Sequence, residues 1–66
     1  MIKIKVPILQ CAMAERCLNP TDLAKIAGLS DATVSRITAR GEFASVKSFG
    51  LVCRALNLKP SELIQD

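Results

Sequence analysis

Residues 20–39, PTDLAKIAGLSDATVSRITA, constrain the fold more than any other part of this 66-residue chain. Leu23, Ala24 and Ala27 recur at the spacing that shares one face of a helix, and Val34 and Ile37 do the same farther on. Gly28, Leu29 and Ser30 stand between the two patterns. A glycine takes the left-handed conformation that ends a helix without a Cβ penalty, and a serine two residues later caps the next helix with its hydroxyl. The pattern predicts two helices meeting at a sharp corner, with Leu29 filling the gap. The small side chains of Ala24 and Ala27 let the helices approach closely. Ser30, Asp31, Thr33, Ser35 and Arg36 fall on or near the open face.

A helix pair joined this way is the arrangement that sets its second helix into the major groove of DNA. Leu23-Ala24, Ala27-Gly28-Leu29-Ser30 and Thr33-Val34-Ser35-Arg36-Ile37, followed by Ala55-Leu56, Pro60 and Glu62-Leu63, resemble the lambda-repressor-like (Cro/repressor, XRE-type) helix-turn-helix family. The resemblance runs from about Leu9 to Ile64. It implies an all-α, five-helix lambda-repressor-like domain, here with a short N-terminal β-strand. It also implies a bacterial, phage or mobile-element transcription regulator of repressor type. The expected organisation is one domain over 1–66, with a strand or arm at 1–6 and the helix-turn-helix at 20–39.

A chain this short buries only about 60% of its extended-chain surface, so the core is small and depends on good packing or a partner. Apolar residues make up 50% of the sequence and only two residues are aromatic, which suits an aliphatic helical bundle and not disorder. A net charge of +3 and a pI near 9.0 permit nucleic-acid binding without arguing for it. No apolar run is long enough to span a bilayer and the N-terminus lacks a secretory pattern, so the expected location is the cytoplasm. Cys11, Cys17 and Cys53 come with no histidine and no Cys-x-x-Cys, which predicts neither a metal site nor a disulfide framework. Buried reduced thiols are expected instead.

Met1 to Val6 reads MIKIKV, with Ile2, Ile4 and Val6 alternating with lysines as in a strand. A lone strand must pair, and no other segment of the chain alternates in the same way. Two readings stand: pairing with a second copy through Ile2–Val6, giving a homodimer, and an N-terminal arm docked on its own domain. Lys3 and Lys5 either protect a strand edge or reach toward phosphate.

Pro7 opens the first helix, which runs from Ile8 to about Arg16 with Leu9, Ala12, Met13 and Cys17 inward. The resembled family commonly has glycine at the position of Cys17, so a left-handed backbone there would be strained. Asn19 caps the second helix and Pro20 begins it, with Thr21 and Asp22 against the positive end of its dipole. The third helix runs from Asp31 to about Ala39, and Gly41 to Ala44 breaks the pattern. Ser45 caps a fourth helix whose Phe49, Val52, Cys53 and Leu56 form the cleanest apolar stripe in the chain. Asn57 ends that helix in a left-handed conformation, Leu58 turns inward, and Pro60 opens a last short helix carrying Leu63 and Ile64.

With the third helix in a major groove, Ser30, Asp31, Ala32, Ser35 and Arg36 are the candidates for base edges. Arg36 leads, because a guanidinium bridges guanine O6 and N7 in a bidentate contact worth about 1–3 kcal/mol of discrimination. Ala32 offers a methyl to thymine, and Ser35 donates or accepts at either kind of base pair. Asp31 can accept from a cytosine amine, yet a carboxylate at a helix N-terminus also has a purely structural reason to be there. Asn19, Thr21, Thr33, Arg40 and Lys47 are the phosphate candidates. Lys47 is the most informative, since a cation in the first turn of a helix opposes the dipole unless an anion faces it.

The expected partner is operator duplex DNA, with no membrane, small-molecule ligand or cofactor. The absence of histidine and tyrosine and of a Gly-rich phosphate loop argues against an enzyme. The competing class is a protein-interaction module or antitoxin-like subunit that keeps the fold without strong DNA binding. Many members of the resembled family carry a DNA-gripping glutamine at the position of Pro20, which has no donor. That departure, Asp31 and the modest charge all favour the competitor.

Overall fold

The computed structural model describes residues 2–65; Met1, which opens the expected strand, and Asp66 lie outside them. The corner at Gly28 forms as the spacing predicts. Helix α2 (Pro20–Ala27) ends in Gly28 at φ 72°, and α3 (Asp31–Arg40) starts behind Ser30. The Gly28 N–H donates to the Lys25 carbonyl at 3.4 Å and the Leu29 N–H to the Ala24 carbonyl at 2.9 Å, the bond pair of a Schellman turn.

The same turn is used twice more. Cys17 and Asn57 take φ values of 54° and 55°, and the leucine after each, Leu18 or Leu58, donates its N–H back to the Met13 or Cys53 carbonyl. Leu18, Leu29 and Leu58 are half-buried against the core, which is the hydrophobic contact that accompanies such a cap. Each corner leads directly into a helix: α2 begins with Pro20, α3 with Asp31, and α5 (Pro60–Leu63) with Pro60. Asparagine tolerates the left-handed region well, whereas a cysteine there costs roughly 1–2 kcal/mol.

Helix α1 (Val6–Glu15) contributes Leu9, Ala12 and Met13 to the core, and α4 (Val46–Ala55) contributes Phe49, Val52 and Cys53. Helix α2 packs on both α3 and α4, while α5 contacts α1 and α4. Leu23, Ala24, Ala27, Val34 and Ile37 are buried at this junction. Phe43 and Phe49 meet at a centroid distance of 5.2 Å in a tilted pair. Among the described residues, no helix is long and apolar enough to cross a membrane.

The N-terminal strand finds its partner inside the chain, which matches the reading of a docked N-terminal arm and not the pairing of Ile2–Val6 with a second copy. Strand β1 (Ile2–Lys3) runs antiparallel to β2 (Glu42–Phe43), with Ile2 opposite Phe43 and Lys3 opposite Glu42. The Ile4 N–H donates to the Gly41 carbonyl at 2.9 Å. On the other side, the Lys5 N–H donates to the Leu63 carbonyl and the Gln65 N–H to the Lys3 carbonyl, both at 2.8 Å. Backbone groups on both flanks of the segment are therefore taken. Val6 belongs to α1 and not to the strand, and Ile64 lies past α5, 38% exposed, where it bridges Ile4.

The cysteines are a second correction. Only Cys53 is buried, while Cys11 points outward from α1 and Cys17 sits in the exposed corner after it. Gly41 caps α3 at φ 69°, and a Cβ there would stand 2.8 Å from Val6 Cγ2. Urea denaturation should show Cys17→Gly to be more stable than the parent by about 1 kcal/mol, because relief of the left-handed penalty outweighs the added chain entropy. Gly41→Ala should be less stable by about 2 kcal/mol, since it combines the same penalty with a steric overlap.

Candidate nucleic-acid interface

Helix α3 has two unlike faces. Val34 and Ile37 are buried at 0% and 3% exposure, so the inward side is wholly taken up by the core. Ala32, Ser35, Arg36 and Ala39 follow one another at i, i+3, i+4 and i+7, which aligns them in a single exposed stripe on the other side. Asp31 is exposed in the first turn and Arg40 in the last, each on the terminus where its charge suits the dipole. The stripe combines a methyl, a hydroxyl and a guanidinium within two turns, the chemistry that base edges in a major groove distinguish.

Several of the hydroxyls and amides expected at this surface are engaged in local caps. Ser30 Oγ accepts the Thr33 N–H at 3.2 Å and lies 2.8 Å from Thr33 Oγ1, and Thr33 is half-buried. Asn19 Oδ1 accepts the Asp22 N–H at 2.8 Å, while Asp22 Oδ2 accepts the Asn19 N–H at 3.3 Å, a reciprocal capping box. Thr38 turns its hydroxyl back to the Val34 and Ser35 carbonyls. Ser30, Thr33 and Asn19 thus have structural work of their own, which residue type and spacing do not separate from a DNA contact.

Thr21 and Lys47 stand exposed on the first turns of α2 and α4. The start of α4 is capped by Ser45, whose Oγ accepts the Ser48 N–H at 3.2 Å and contacts Ser48 Oγ at 2.9 Å. Lys47 opposes the dipole of that helix, and no acidic residue occupies its first turn. Pro20 lines a shallow, largely apolar groove with Met13, Leu18 and Ala39, and the exposed amide of Gln10 borders the same groove. Gln10 went unnoticed in the sequence because nothing in its spacing sets it apart from an ordinary solvated helix position.

The remaining titratable chemistry is sparse. Burial pushes the Cys53 thiol up from its usual range, which keeps it protonated and unreactive. Among the described residues, no group of histidine, cysteine, aspartate and glutamate side chains is arranged to hold a metal ion. Residues 9–66 match the family model described as the Cro/C1-type HTH DNA-binding domain. No curated protein and no solved structure matches the chain significantly.

The caps make a testable division within α3. Ser30→Ala should lower the unfolding free energy by about 1 kcal/mol, because it strips the acceptor from the Thr33 N–H. Ser35→Ala, on the exposed stripe, should stay within about 0.5 kcal/mol of the parent. Chemical denaturation of the two variants side by side reads the difference.

Proposed function

The chain belongs to the Cro/C1-type helix-turn-helix DNA-binding domain family, and we propose that it is a sequence-specific transcriptional repressor that reads operator DNA with α3. The observation that carries this reading is the exposed stripe Ala32, Ser35, Arg36 and Ala39, backed by Val34 and Ile37 in the core. The core holds the stripe in place, so little ordering remains to be done when a groove is entered.

Arg36 takes a guanine, Ser35 an adjacent edge, and Ala32 a thymine methyl. Asp31 and Ser30 stand at the mouth of the groove, where Ser30 acts through its cap and Asp31 either accepts from a cytosine amine or steadies the helix start. Thr21, Arg40 and Lys47 meet phosphates on the flanks, joined by the first-turn N–H groups of α2 and α4 and the donor side of the Asn19 amide. Thr33 supports this row from behind.

One α3 covers only a few base pairs. Two copies on half-sites about one helical turn apart supply the remaining discrimination, and a dimer seated over a promoter represses by excluding other proteins. The dimer contact does not use β1 pairing, since the flanks of that strand are taken within the chain.

Fluorescence anisotropy on mixed-sequence duplexes at low and moderate salt tests the proposal. The parent should bind with strong salt dependence. Arg36→Ala should lose about 1–3 kcal/mol of discrimination at a guanine position. Lys47→Ala should weaken all sequences alike and shallow the salt slope by about one unit. A parent that shows no salt-sensitive binding even at low salt would instead assign the fold to a protein-interaction role.

A further inference from the structure

Strand β1 has an apolar side and a cationic side. Ile4 is 3% exposed and Ile2 half-buried, while Lys3 and Lys5 are both exposed. Outward lysines commonly guard the free edge of a sheet against pairing with another chain. That explanation does not fit here, because residues 2–5 are hydrogen-bonded to Gly41–Phe43 on one flank and to Leu63–Gln65 on the other.

The register places these lysines at the end of α3. Lys3 is opposite Glu42, and Ile4 bonds to Gly41, the cap that directly follows Arg40, the last residue of α3. Three exposed cations therefore leave the backbone within two residues of one hydrogen bond, with the half-buried Glu42 as the acid placed directly across from Lys3. Glu42 offsets one of these charges, and the positive excess that remains favours a polyanion. Lys3 and Lys5 stand about 7 Å apart on one face, a spacing from which two flexible ammonium groups reach neighbouring phosphates of one strand.

We infer that the outer face of β1 is a second phosphate-binding surface, on which Lys3 and Lys5 carry the footprint of α3 onward along the DNA backbone. The inference rests on the DNA reading proposed above. It makes β1 a short wing on the recognition helix, locked to it through Gly41.

The test compares the full chain with the double variant Lys3→Gln/Lys5→Gln and with a charge-matched control, Arg54→Gln/Lys59→Gln, at the far end of α4 and the start of α5. Affinity for a mixed-sequence duplex is measured over a range of salt, and thermal melts confirm that all three chains are folded. The lysine pair should reduce the slope of log K against log salt by about two units, for every duplex alike, while the control leaves it near the parent value. If the lysine variant keeps the parent slope while Arg36→Ala still loses base discrimination, the inference fails and the DNA reading stands. An equal drop in the control also overturns it, because long-range charge would then account for the effect. A parent without duplex binding overturns both.

Discussion

The fold depends on a left-handed corner closed by the Leu29 N–H on the Ala24 carbonyl. That bond sets where α3 leaves α2, and the small side chains of Ala24 and Ala27 allow the helices to touch. Once the angle is fixed, Val34 and Ile37 must face inward, and Ser35 and Arg36 are forced outward by the helical period. The orientation of the outward face of α3 is thus a packing consequence and not a property of its polar residues. The same turn recurs at Cys17-Leu18 and Asn57-Leu58, so three of the connections between helices are variants of one local solution. Only at Gly28 does the residue type carry no steric cost; at Cys17 the chain holds the geometry against the preference of its side chain.

Features whose cause lies within a few residues were legible in the sequence. Asn19, Ser30 and Ser45 cap their helices by accepting the N–H three residues downstream, Pro20 and Pro60 open helices, and the Phe49, Val52, Cys53, Leu56 stripe needs nothing beyond its own helix. β2 was not legible, since Glu42-Phe43 is too short to show a period and its partner lies at the opposite end of the chain. That omission made β1 look unpaired and suggested a second copy. The thiols were misplaced for another reason: cysteine is small and nearly neutral between core and surface, so Cys11, beside the inward Ala12, could not be assigned a side by type.

For the candidate interface, periodicity was enough to find the outward stripe of α3, but not to sort its hydroxyls. Ser30 and Ser35 look alike in sequence and both are exposed, yet the Ser30 hydroxyl caps the helix by accepting the Thr33 N–H. Under the proposed function, the same geometry lets a chain with Pro20 in place of a donor keep its contact surface on α3. Stripe and flanks are carried by different helices, so the loss of one side-chain donor on α2 leaves α3 and the start of α4 intact. Arg36 and Arg40 are exposed on α3 and Lys47 in the first turn of α4.

The most direct test of the central claim is a backbone-amide NMR titration of the full chain with a short duplex at low salt. With α3 in the groove, the largest shifts should fall on Ala32, Ser35, Arg36 and Ala39, with the buried Leu23, Ala24 and Val34 nearly unchanged. Shifts centred on the exposed residues of α1 and α5, with the Ser35 and Arg36 amides unmoved, would contradict it.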